Sequence, residues 1–175
     1  PENPLVFATG PFIGSNVPMV SRAAICGIAP GSGLWGEATT GGHFPFRLKG
    51  AGYDGILITG KSAAPVYLLV GGEKAEIKDA AHLWGKDSYE TQDLIAKEAG
   101  GKASTACIGM GGEKLLKFAG IMNDEGRTAG RCGLGALMGS KNLKAVVVSG
   151  NRKAEPADGE GLKKLIEEAR ECIKS

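Results

Sequence analysis

A β-rich α+β domain is the fold class this sequence predicts, on three observations. Glycine is far above its usual share, at 29 of 175 residues against an average of about 7%. Those glycines punctuate short apolar runs of about four to six residues, the usual length of a strand. Helical periodicity is confined to two clear segments and two shorter candidates. A chain of this length suits one domain, since about 150 residues bury roughly two-thirds of their unfolded surface.

Taken in order, residues 5–8 (L-V-F-A) form the first strand candidate, between Pro4 and Gly10. Residues 23–28 end before Pro30, 55–59 before Gly60, and 66–70 run between Pro65 and Gly71. Further candidates are 75–78, 104–108, 118–122 and 145–148. A helix is predicted over 88–99, with Asp87 as N-cap, Glu90 answering it in a capping box, and Gly100 as the stop. The last helix carries Leu162, Leu165, Ile166, Ala169 and Ile173 on one stripe, opposite Lys163, Lys164, Glu167 and Arg170. Short helices are expected at 44–49 and 133–141.

The division expected is a main body over 1–152, then a polar linker and amphipathic helix over 153–175. That helix either folds back on the body or leads towards an absent domain. Because the chain opens at Pro1 and enters an apolar run at once, a piece of a longer protein is expected, its N-terminal part missing.

Composition narrows the function. With 21 basic and 19 acidic residues the formal charge is only +2, which argues against a general nucleic-acid or membrane surface. No apolar run approaches the roughly 20 residues that span a bilayer, and no charged-then-apolar leader opens the chain. A soluble, cytoplasmic protein is the expectation. Cys26, Cys107, Cys132 and Cys172 lack the close spacing of metal or cluster ligands and read as small buried thiols.

The basic character is local. Residues 127–144, R-T-A-G-R-C-G-L-G-A-L-M-G-S-K-N-L-K, hold four glycines and four cations without an acid. Glycine permits close main-chain approach, arginine grips phosphate oxygens as a fork, and a helix opening near residue 133 would aim its N-terminus at an anion. A phosphorylated ligand fits that chemistry; a solvated glycine-rich turn is the plainer alternative.

Four blocks carry a resemblance: P-E-N-P-L-V-F-A-T-G-P at 1–11, A-G-Y-D-G-I-L-I-T-G-K at 51–61, I-M-N-D at 121–124 and A-G-R-C-G-L-G-A-L-M-G-S-K-N-L-K at 129–144. Together with D-A-A-H-L-W-G-K at 79–86, the chain resembles the N-terminal domain of tungsten-containing aldehyde ferredoxin oxidoreductases. The resemblance implies a two-sheet, saddle-like domain with a few short helices, on which a bis-tungstopterin cofactor sits. Its metal, tungsten or molybdenum, is held by pterin sulfurs and not by side chains.

Position by position, Arg22 matches an arginine between one pterin and the iron–sulfur cluster. Thr39, Thr40, Gly41 and Gly42 match a turn along a pterin phosphate, with Thr39 standing where the family has asparagine. Arg127, Thr128, Gly130 and Arg131 match a second phosphate grip, and the carbonyl of Thr128 falls near a magnesium ion bridging the pterin phosphates. His43 follows the turn as a residue satisfied by backbone, while His82 and Trp84 read as anchors of a surface turn. The [4Fe–4S] ligands and the substrate pocket lie outside this chain, so no catalytic residue is assigned. For the complete protein the resemblance implies aldehyde oxidation to the acid with ferredoxin as acceptor; homo-oligomerisation stays open. The alternatives are a non-catalytic scaffold or assembly domain, and a dinucleotide-binding domain read from G-L-G-A-L-M-G at 133–139.

Overall fold

The computed structural model describes residues 3–72, 74–101 and 103–174. Among them ten strands form two sheets. β1 (Leu5–Thr9), β2 (Ala23–Ile28), β3 (Trp35–Thr40) and β4 (Gly55–Ile58) make an antiparallel sheet in the order β3-β2-β1-β4. The second sheet uses β5 (Val66–Gly71), β6 (Lys74–Asp79), β7 (Ser104–Cys107), β8 (Ile121–Asn123), β9 (Arg127–Ala129) and β10 (Leu143–Ser149). Its order is β6-β5-β10-β7-β8-β9, antiparallel except where β5 and β10 run parallel. The helices are α1 (Phe44–Gly50), α2 (Ser88–Glu98), α3 (Met110–Glu113), α4 (Leu134–Ser140) and α5 (Gly159–Lys174). Two sheets with a few short helices match the β-rich α+β expectation.

Alternation explains the layering. β10 is buried along almost its whole length; Val146 and Val148 join the main core while Ala145 and Val147 join a second cluster on the other side. The main core collects Leu5, Phe7 and Ile25 from the first sheet, Phe44 and Leu48 from α1, and Leu134 and Met138 from α4. Phe7 and Phe44 meet with ring centroids 5.8 Å apart, a contact worth about 0.5–1.5 kcal/mol beyond burial. Ile95 of α2 and Leu83 close the second cluster. The central strands of the second sheet, β7 and β10, are therefore covered on both faces while β6 at its edge is exposed throughout, and the first sheet is covered on only one face.

Several expectations shift. The strand predicted over 118–122 begins at Ile121, and Phe118 is 78% exposed. Helix 133–141 is Leu134–Ser140, with Gly133 as its left-handed cap. β3 and β9 were missed, as were α3 and the 3-10 turn Ala81–Leu83. Of the four cysteines only Cys107 is buried; Cys26 is partly so, and Cys132 and Cys172 are exposed. Leu83 is the fully buried residue of the turn and Trp84 is half-buried beside it, while His82 lies outside and pairs with Glu98 at 2.8 Å. α5 starts at Gly159, inside the polar run 154–161 expected as the linker, and turns back, burying Ile166 in a cleft shared with Gly14 and Asn16, though Leu165 and Ile173 stay exposed.

Candidate functional site

The uncovered face of the first sheet is the natural floor of a site. Phe7, Ile25 and Ala38 point to the core, so their neighbours Ala8, Ala24 and Thr39 point outward. The register aligns Thr39 with Ala24, Ala24 with Ala8, and Ala8 with Gly55, giving one row of small residues across all four strands. The next row aligns Glu37, Cys26, Val6 and Leu57. Burial first and the Glu37 charge second push the Cys26 thiol up from its ordinary value, so it stays protonated and weakly nucleophilic.

The rim at one end of this floor carries the cations. Arg22, just before β2, donates from Nη1 to Thr39 Oγ1 at 3.1 Å. Gly41 lies between two elements: a Cβ there would stand 3.4 Å from the Ser21 carbonyl and 3.7 Å from Arg127 Nη1. Gly42 has φ +86°, and a Cβ there would lie 2.7 Å from Arg127 Cδ. Glycine is required at 42 on both counts. The structure thus gathers Arg22, Thr39, Gly41, Gly42 and Arg127. The site residues differ in what they can offer. Thr40 is 2% exposed and its hydroxyl is spent on Asn123, leaving only main chain to face a ligand.

Thr128, Gly130 and Arg131 are exposed and run away along the free edge of β3. The next residue, Cys132, lies beside Gly36, with Sγ 3.5 Å from the Glu37 carbonyl. Arg127 and Arg131 therefore flank different parts of β3, and among the described residues neither forms an ion pair. His43 is exposed, its N–H taken by Asp124.

Where the anion grip was expected to draw on the α4 dipole, the structure corrects it. Gly135 N–H donates to the Ala119 carbonyl at 2.9 Å, and a Cβ on Gly133 would lie 2.8 Å from the Lys117 carbonyl carbon. The turn at 117–120 covers that helix end, so the charge on offer is that of the arginines. The same packing accounts for G-L-G-A-L-M-G. Gly135 and Gly139 let backbone meet backbone, a Cβ on Gly139 standing 2.7 Å from the Gly112 carbonyl carbon, and the motif forms a buried helix instead of a nucleotide loop.

Sequence reasoning missed Asn123 and Asp124, which hold the 39–42 turn from the end of β8; only their place in the I-M-N-D block pointed to them. Among the described residues no group of three or more His, Cys, Asp or Glu could hold a metal ion, and no helix is long and apolar enough to cross a membrane.

Residues 1–150 match the family described as aldehyde ferredoxin oxidoreductase, N-terminal domain. A tungsten-containing aldehyde ferredoxin oxidoreductase of Pyrococcus furiosus is 46% identical over 169 residues, covering 96% of this chain and 28% of that protein. An aliphatic sulfonate oxidoreductase, WOR-like subunit, also of Pyrococcus furiosus, is 36% identical over 181 residues, covering 95% of this chain and 29% of that protein. Among solved structures, the active-site complex BamBC of benzoyl coenzyme A reductase with 1,5-dienoyl-CoA superposes with a TM-score of 0.95. The identity there is 39%, over 98% of this chain and 26% of the other. The chain spans under a third of each of these relatives.

Proposed function

The chain belongs to the aldehyde ferredoxin oxidoreductase family as its N-terminal domain, and on that premise we propose that it cradles a bis-tungstopterin cofactor. The complete enzyme, in this reading, oxidises an aldehyde to a carboxylic acid and passes electrons to ferredoxin. One observation carries the proposal: the Arg22–Thr39 bond, the 41–42 glycine turn and Arg127 meet at the rim of a sheet face that bears a row of small side chains. A flat heterocycle can lie on such a floor while its phosphate end reaches guanidinium and main chain.

The residues present fit the group in chemistry as well as shape. Arg22 would donate to a pterin, and Arg127 and Arg131 would each hold phosphate oxygens. Thr39, Thr40, Gly41, Gly42 and Gly130 would allow main-chain approach, and the Thr128 carbonyl would face the bridging magnesium. When bound, the tungsten centre supplies the two-electron redox chemistry; this chain binds and orients it. Residues 1–152 would form the cradle, with 153–175 leading to further domains that hold the [4Fe–4S] cluster and the aldehyde.

A second reading, reduction of an aromatic coenzyme A thioester, is favoured by the benzoyl coenzyme A reductase neighbour. Assaying the full-length protein with aldehydes plus an oxidised viologen, and with an aromatic thioester plus a strong reductant, separates the two. The cradle itself is tested by Arg127→Ala and Arg131→Ala in that protein. Each lost charge-assisted contact, worth about 1.5–3 kcal/mol, should weaken cofactor retention at least tenfold. Native tungsten content in both variants would overturn the reading.

A further inference from the structure

Asn123 and Asp124 reach a turn that lies 80 to 83 residues away in the chain. Asn123 is fully buried, and its Oδ1 accepts from Thr40 Oγ1 at 2.6 Å. Its Nδ2 donates to the Gly41 carbonyl and to Asp124 Oδ2, both at 2.9 Å. Both of those partners are pure acceptors, so the amide can point only one way.

Asp124 continues the clasp. Its Oδ2 also accepts from the main-chain N–H groups of His43 at 2.6 Å and Phe44 at 3.2 Å, and its Oδ1 accepts from Ser104 Oγ at 2.7 Å. The carboxylate therefore caps α1 from the other sheet, since His43 supplies no side-chain cap of its own. It also closes the space beside Gly42, where a Cβ would collide with Asp124 Oδ2. Asp124 and Glu125 adopt left-handed φ of 45° and 59°, a conformation that persists only where its surroundings enforce it.

We propose that Asn123 and Asp124 are positioning residues that lock the 39–42 turn to the turn bearing Arg127, fixing the gap that receives the phosphate end of the cofactor. The inference rests on the cradle reading. Two turns from separate sheets, each free to move, would have to be ordered at every binding event; the clasp orders them beforehand.

The test uses the full-length protein, reading tungsten and pterin per polypeptide after gel filtration, with each variant held equally far below its own Tm. Asp124→Ala should lower retention about tenfold or more, because it removes charge-assisted bonds. Asp124→Asn should keep most of it: the amide nitrogen can turn to Ser104 Oγ, which then accepts, while the amide oxygen keeps the His43 and Phe44 N–H groups. Asp87→Ala, a cap deletion at α2 away from the turn, should leave retention unchanged. If Asp124→Ala does not accumulate, Thr40→Val removes a single hydroxyl from the same clasp and should lower retention several-fold.

Native retention in Asp124→Ala, or in Thr40→Val where that replaces it, alongside loss in Arg127→Ala overturns the clasp and leaves the cradle standing. Equal loss in Asp124→Ala and Asp87→Ala overturns it too, as would failure of Asp124→Asn to rescue. Native retention in both Arg127→Ala and Arg131→Ala overturns the cradle reading on which it rests.

Discussion

Lys144 has no exposed surface, and its Nζ donates to Glu113 Oε1 at 2.5 Å and to the Lys86 carbonyl at 2.8 Å. Glu113 in turn accepts from Gly85 N–H, so this buried pair ties β10 to α3 and to the turn before α2. Removing one partner strands the other charge. Lys144→Met should cost about 3–5 kcal/mol, read as a drop in the urea midpoint, and a change under 1 kcal/mol would contradict the account. Beside it, burial pushes the Cys107 thiol up to about 12, Lys144 pulling it down and Asp87 raising it by less. Only a thiolate attacks an alkylating agent, so at pH 8 Cys107 should take up iodoacetamide only after denaturation, by mass spectrometry. At this scale the sequence singled out Arg127 through its glycine-rich, basic surroundings, whereas Arg22 drew notice only through the family resemblance. Asn123 and Asp124 escaped because their partners are remote in the chain, and no local spacing encodes a cap supplied from another sheet.

Elements were legible wherever their signal is local. Asp87 Oδ1 accepts from Tyr89 and Glu90 N–H at 2.8 and 2.9 Å, and Glu90 returns to Asp87 N–H at 3.4 Å, as the D-S-Y-E run predicts for α2. Asp87→Ala should therefore cost about 1 kcal/mol in thermal unfolding, and no measurable loss would mean that the cap is redundant. β3 was illegible for the opposite reason. Its inward residues Gly36, Ala38 and Thr40 are small because the 130–132 loop and Asn123 pack against them, a Cβ on Gly36 standing 2.7 Å from Cys132 Cβ. A strand whose inward positions carry no large apolar residue, and whose one large ring, Trp35, faces outward, gives no alternation to read. α4 was legible in place but not in purpose, since its buried N-terminus depends on the 117–120 turn. Gly133→Ala combines a φ of +65° with a Cβ too close to the Lys117 carbonyl, and should destabilise by at least about 2 kcal/mol. A melting temperature unchanged in that variant would contradict the packing described.

Over the whole molecule, the β-rich class could be read from glycine-punctuated runs, whereas which sheet keeps an uncovered face could not. That depends on α1, α4 and the second sheet all packing against one side of β1–β4. The consequence is a floor of Thr39, Ala24, Ala8 and Gly55 rimmed by Arg22 and Arg127, and the functional reading follows from that asymmetry. The most direct test is an anomalous difference map at the tungsten edge, from crystals of the full-length protein produced with tungstate. The account predicts a metal peak facing the open side of β1–β4, with ligand density reaching the 39–42 turn and Arg127. A peak elsewhere, with that face packed by protein side chains, would contradict it.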